Sequence, residues 1–451
     1  MKCVRIPLML AILSGLAHAS AAQVRCLDED AAIASTAITS APAAEPGMSP
    51  RERLAAMVGS ALERSHAVGA SMLLSEAALS DIEEARAARE LQSTMTLSIG
   101  PEGSRTDGDN RGSALRASGS LQVSRMIYDG GRTRHIVDWR TELARAARHG
   151  QLSAQEQVAS TTVALALERS RFRQQALVYG QYVRKMGCLA QALEAIVATD
   201  RGRASELVQA RKSLQTAELT LAQSQSQTRQ VEARLRRVVG TELPSAEGLS
   251  TALLEVPDLE SSLIAAAESA QIEQLTAQSL AADRLARSVE LAARPKLGWA
   301  FAGSARQSQG GITDEKRNAA ASFAVNLDIP LLNPANLHAS DSALKRARAA
   351  VMQRDEALEA RRIRITEAHE QATASFDRAR RVSAVLRDSE QLRNFTLQQW
   401  QQLGRRSLFD VMNAEAEHYN LRVQYVNALH DGQQLNVVLQ SLGRGVGEWL
   451  R

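Results

Sequence analysis

The sequence is poor in aromatic side chains, which make up 3% of its 451 residues, and proline occurs only 10 times. Thick globular cores lean on Phe, Tyr and Trp, so this composition argues against a set of ordinary compact domains. The scarcity of proline leaves room for very long helices. Lysine is nearly absent too, standing at positions 2, 185, 212, 296, 316 and 345 only, and the net charge of +4 comes from arginine. Those arginines alternate with carboxylates, as in Glu83, Glu84, Arg86 and Arg89 or Arg361, Arg362, Arg364 and Glu367. A nucleic-acid binder concentrates basic residues on one face, so no nucleic-acid partner is expected. No stretch reaches 18 consecutive apolar residues, and a chain of this kind can enter a membrane only as a barrel. Cysteine is limited to Cys3, Cys26 and Cys188. Cys26 and Cys188 either pair in an oxidising compartment or stand as two unrelated thiols. Gln23-Val24-Arg25 before Cys26 is unlike a lipid-attachment motif.

Catalytic signatures are missing as well. There is no HExxH, CxxC, phosphate-binding G-x-x-x-x-G-K-[ST] or nucleophile elbow, so neither an enzyme, a cofactor nor a metal is expected. His66, His135, His369 and His418 read as members of solvated helical faces. Asp107-Gly108-Asp109-Asn110-Arg111-Gly112 is a faint likeness of a calcium loop without its closing Glu, and reads as turn sequence.

What the sequence does hold is one pattern written twice. Lys2 and Arg5, the apolar run Ile6 to Leu16, and Ala17-His18-Ala19 have the layout of a secretory signal over 1–19, followed by a flexible leader over 20–50. The first repeat, 51–240, comprises a helix, a β-hairpin over 91–128, a long helix over 132–199, a tip at 200–205 and a returning helix. A connector with Pro244, Gly248 and Pro257 occupies 241–258. The second repeat, 259–443, has a hairpin over 295–332, a helix over 336–403, a tip at 404–407 and a returning helix, with a tail over 444–451. In the strands, Leu91, Ser93, Met95, Leu97 and Ile99 alternate with Gln92, Thr94, Thr96 and Ser98, and Ala321, Phe323, Val325, Leu327 and Ile329 share one face of the last strand. Four such strands cannot enclose an open lumen alone, whereas three copies would supply 12 strands with lipid-facing apolar sides. Each long helix would reach about 100 Å. The expected fold class is mainly α with a small β part: long antiparallel helices forming a trimeric α-barrel tunnel, plus four strands per chain in a 12-stranded transmembrane barrel. At both tips, Gly202 or Gly404 is expected to stop the helix with positive φ, and Ser205 or Ser407 to cap the next one.

Val123 to Thr133, with Tyr128-Asp129-Gly130-Gly131-Arg132 at its centre, resembles the strand-to-helix passage of the TolC family of outer-membrane factors. Ile329-Pro330-Leu331-Leu332-Asn333-Pro334-Ala335-Asn336 resembles its second-half counterpart, and Gly404 to Asn413 resembles the family's tip. The resemblance covers nearly the whole mature chain. It implies a homotrimer in outer-membrane lipid, continuing as a tunnel into the periplasm, where it meets a periplasmic adaptor protein and an inner-membrane transporter, either an ABC ATPase or a proton-driven pump. It further implies a tunnel-entrance constriction at Asp410 and Asn413, and a closed-state bridge between Arg406 and Glu206. Adaptor docking falls to Gly202, Arg203, Ser205, Gly404, Arg405, Ser407 and Leu408. Gly130, Gly131, Pro330 and Pro334 become strand-to-helix hinges. Type I protein secretion is the expected service, with multidrug or metal efflux as the alternative. A soluble periplasmic coiled-coil scaffold is the competing reading from another class.

Overall fold

The computed structural model describes residues 48–105, 111–309, 316–403 and 407–451. Its helices are α1 (Pro50–Arg64), α2 (His66–Ala87), α3 (Arg132–Val197), α4 (Ala204–Val239), α5 (Leu259–Ala267), α6 (Ala270–Glu290), α7 (Pro334–Leu403), α8 (Leu408–Leu442) and α9 (Val446–Leu450). Its strands are β1 (Gln92–Arg105), β2 (Arg111–Tyr128), β3 (Lys296–Gln309) and β4 (Lys316–Asp328). The signal sequence, the leader with Cys26, Asp107 to Asn110 and Gly404 to Arg406 lie outside the described residues. Cys188 is disulfide-bonded, which removes the reading of it as an isolated thiol.

The chain divides into two compact units. One holds the described part of Met1–His66 with Gln155–Ser269 and Arg361–Arg451, and is helical. Its larger core gathers Leu54, Met57, Val163, Leu167, Leu235, Leu249 and Val437 from four helices and the connector. A second core joins Met186, Leu189 and Leu193 of α3 to Leu397 of α7 and Leu408, Val411 and Met412 of α8. Aromatics are rare in both, and Ala159, Ala166, Ala190 and Ala210 let helices approach closely in their place. Helices α4 and α8 end at Gly240 and Gly443, whose N–H groups bond Arg236 O and Leu439 O.

The other unit, Ala67–Ala154 with Ala270–Ala360, carries the sheet. Its strand order is β1-β2-β3-β4, all antiparallel, so the two hairpins join through β2 and β3. β1 and β4 are the sheet's edges within the chain. Small residues again set the helix packing, with Ala286 of α6 against Ala343 and Ala347 of α7. Among the described residues no helix is long and apolar enough to cross a membrane.

Candidate channel-forming surfaces

Strand pairing fixes which side chains share a face. Leu97 lies opposite Gly119, Leu121 opposite Gly303, Phe301 opposite Phe323 and Leu297 opposite Leu327. Period-2 geometry then puts Met95, Leu97, Ile99, Leu121, Phe323, Val325 and Leu327 on one side of the sheet. Leu97 is 71% exposed, Ile99 73% and Phe323 66%. The opposite side carries Thr94, Thr96, Ser98, Ser118, Ser120, Gln122, Ser304 and Asn326, with the Ser98 and Ser118 hydroxyls 2.7 Å apart. One sheet thus has an oily face and a polar face. Exposure of so large an apolar surface in water is costly at ~25 cal/mol per Å2, and such a face requires another partner.

The passage from β2 into α3 needs both glycines. Gly130 has φ +68° and Gly131 φ +89°, and a Cβ on Gly130 would stand 2.5 Å from Cβ of Arg294. Asp129 caps the start of α3, accepting from Gly131 N at 3.1 Å and Thr133 N at 2.6 Å. Burial opposes its charge, yet the bonds from Thr133 and Gly131, with Arg89 nearby, hold its carboxyl below the usual range. In the second half, Pro334 occupies the first position of α7, where its missing N–H costs nothing. Asn333 Oδ1 accepts from Asn336 N at 3.3 Å, and Pro330 lies between the end of β4 and α7.

At the first tip the capping differs from expectation. Gly202 does not have positive φ, and Ser205 lies inside α4. Asp200 instead caps a single 3-10 turn, Arg201–Arg203, by accepting from Gly202 N at 2.9 Å, and α4 starts at Ala204 without a side-chain cap. An aspartate two residues ahead of the glycine thus caps the turn before α4, and the expected serine cap of α4 itself is not formed. At the second tip Ser407 caps α8 as expected. Its Oγ accepts from Asp410 N at 3.3 Å, and its N–H reaches Asp410 Oδ2 at 3.2 Å. Asp410 therefore serves as the capping-box carboxylate of α8, and Asn413 is exposed one turn on. Leu408 was expected at an adaptor-facing surface; it is fully buried in the tip core with Val411 and Leu397. Arg405 and Arg406 lie outside the described residues, so the expected bridge can be followed only at Glu206, whose Oε2 is buried with no hydrogen-bond partner among the described residues.

α8 holds one residue that the sequence reading placed on a solvated face, and others that it passed over. His418 is buried, not solvated, and packs edge-on against Tyr419 at 5.7 Å. Burial, with Arg393 and Arg422 beside it, pushes its pKa down to about 3. His430 is fully buried and bonds Val426 O at 2.9 Å; burial is the main reason its pKa falls to about 4. Glu415, also fully buried, pairs with Lys185 of α3 and Arg393 of α7 at 3.6 Å each. Gln433 donates to Leu249 O and Ala252 O, and Asn436 to Leu253 O and Glu255 O, which ties the connector to α8. Glu156 of α3 accepts from Val446 N at 2.6 Å and Gly447 N at 3.2 Å. Arg361 of α7 donates to Ser441 O and Leu442 O. Together these two residues pin both ends of the elbow between α8 and α9.

Residues 57–241 match the family model described as outer membrane efflux protein. Solved structures share the fold over nearly the full chain. CusC, described as forming a transmembrane channel, superposes with TM-score 0.76 at 16% identity, covering 89% of this chain and 95% of its own. The outer membrane protein VceC of Vibrio cholerae gives 0.71 at 18% identity, with 86% and 96% covered. The MtrE outer membrane channel of Neisseria gonorrhoeae gives 0.71 at 15%, with 87% and 89% covered. No curated protein matches the sequence.

Proposed function

We propose that this chain, a TolC-like outer-membrane factor by its fold and by the family match of its first repeat, is the exit channel of a tripartite export machine. The observation that carries the reading is the two-faced sheet with both edges open. A single chain leaves Leu97, Ile99, Phe323 and Leu327 uncovered and cannot close four strands into a wall. Three copies joined β4 to β1 give 12 strands, with the oily face on lipid and the serine-rich face on the lumen. The soluble-scaffold reading has no use for such a face.

In this reading the protein works without chemistry of its own. The lumen of the barrel continues into the helical tunnel, and substrates cross the outer membrane with energy supplied by an inner-membrane transporter through an adaptor at the tips. Asp410 copies around the threefold axis narrow the entrance and favour cations, while the same carboxylate caps α8. Glu206, whose buried Oε2 has no hydrogen-bond partner among the described residues, is the acceptor that Arg406 completes in the closed state. Gly202, Arg203, Ser205, Gly404, Arg405 and Ser407 present the adaptor surface, and Leu408 supports it from beneath.

Type I protein secretion is the branch favoured by the Tyr128 to Arg132 passage and by Gln23-Val24-Arg25 before Cys26, which is unlike a lipid-attachment motif. Multidrug or metal efflux is the second reading, favoured by the description of the matching family. Isolation of the native protein with its partners decides both levels. An SDS-resistant trimer from outer membranes, with an ATPase and an adaptor, is the expected result. A proton-coupled pump in place of the ATPase moves the protein to the efflux branch. A monomer in the soluble periplasm would falsify the channel.

A further inference from the structure

A cavity of about 550 Å3 opens where the sheet meets the turn after α2, lined by Arg89, Glu90, Arg125, Met126, Ile127 and Trp299. Arg125 and Trp299 are direct partners across the β2–β3 ladder, on the same oily face as Leu121 and Phe323. A guanidinium there is out of keeping with the face around it, and its position is fixed. Arg125 Nε donates to Arg89 O at 3.4 Å, and Arg89 Nη2 donates to Ile127 O at 3.1 Å. Each arginine thus spends one of its five N–H groups on the main chain and has others for a ligand. Asp129, whose charge Arg89 also supports, is itself taken up by Gly131 and Thr133. Glu90 brings an exposed carboxylate to the same cavity, while Ile127 and Trp299 add an apolar wall that leads onto the sheet face.

We propose that this cavity is a binding site for the headgroup of a zwitterionic phospholipid of the inner leaflet, phosphatidylethanolamine. The phosphate lies between Arg89 and Arg125, whose planar N–H forks suit its oxygens. The ammonium meets Glu90, and the acyl chains run over Ile127 and the Trp299 ring along the oily face. Two cations with one anion match that headgroup and leave an anionic phospholipid such as phosphatidylglycerol without use for Glu90. The site rests on the channel reading above, because only a membrane-spanning sheet puts its helix-proximal end at the inner-leaflet interface, where amphipathic rings collect.

Delipidated native trimer, titrated with phosphatidylethanolamine, phosphatidylglycerol or inorganic phosphate and followed by native mass spectrometry, tests the assignment. Phosphatidylethanolamine is expected to bind best. Arg125→Gln should weaken it at least about fivefold, through loss of a charge-assisted contact. Glu90→Gln, an exposed change that leaves every main-chain bond intact, should erase the preference for phosphatidylethanolamine over phosphatidylglycerol while both still bind. Equal binding by wild type and Arg125→Gln, an unchanged preference in Glu90→Gln, or displacement of lipid by equimolar phosphate overturns the site. Any of these found in a trimer extracted from outer membranes leaves the channel standing. A protein absent from that membrane overturns both.

Discussion

Glu156 offers the sharpest test of how the helical unit holds its C-terminal elbow. Its carboxylate is the acceptor for Val446 N at 2.6 Å and Gly447 N at 3.2 Å, and Val446 is 1% exposed. Glu156→Ala leaves the first donor buried and unmet, and the second only partly hydrated. An orphaned buried donor costs about 1–3 kcal/mol, so the pair should cost about 2–4 kcal/mol. At ~1.4 kcal/mol per factor of ten, the opening equilibrium of α9 rises about 30- to 700-fold. Hydrogen exchange at the Val446 and Gly447 amides, corrected for intrinsic rates, reads that factor directly. The pH dependence follows from the charge. Burial raises the Glu156 pKa above 4.5, against the lowering effect of the Val446 and Gly447 bonds and of Arg361. A raised carboxyl pKa stabilises the fold fully below the unfolded value, and that contribution disappears as pH rises through the folded value. Protection of the two amides should therefore be greater under acid conditions and fall towards neutrality. Glu156→Gln keeps one acceptor oxygen and no charge, so it should lose less protection than Glu156→Ala and show none of the pH trend. Unchanged exchange in Glu156→Ala, or a persisting trend in Glu156→Gln, refutes the reasoning.

The buried histidines give the opposite sign. His418 and His430 titrate near 3 and 4 in the fold against 6.5 unfolded, so the stability they support is present above 6.5 and falls at lower pH, by up to about 1.4 kcal/mol per unit for each; acid unfolding that is identical in His418→Gln and His430→Gln would count against it. Gly130→Ala forces a left-handed φ on alanine and a 2.5 Å contact with Arg294, and should cost about 2–4 kcal/mol, seen as loss of heat-resistant trimer. Asp410→Asn should lower cation preference in planar bilayers, whereas unaltered selectivity would restrict Asp410 to its cap. Charge reversal at Arg406 should sensitise cells to large antibiotics, and full exclusion in that variant would remove Glu206 as its partner.

Strands and long helices were legible because their signals are local. Alternation of Met95, Leu97 and Ile99 with Thr94, Thr96 and Ser98 marks β1, and the proline-free run behind Gly131 marks α3, within two residues of where it ends. The β2–β3 junction between repeats was not legible, since the two hairpins are about 170 residues apart and pairing has no local signature. The inner face of α8 misled for a different reason. His418, Gln433 and Asn436 look like solvated polar positions in one dimension, but the aromatic neighbour and the connector carbonyls that bury them come from distant parts of the chain or from packing geometry. The first tip failed on a detail of turn chemistry: Asp200 and Ser205 are both good caps, and only the three-dimensional turn selects Asp200.

The unlike edges of the sheet have a genetic consequence. In the proposed trimer β1 of one copy meets β4 of the next, so that ring is directional and every junction is needed for closure. A proline in the middle of β1 would spoil one junction in any ring it joins. Expressed at equal dose beside the wild type, such an allele leaves only about one-eighth of randomly assembled rings free of it, and should therefore behave as dominant over a healthy copy.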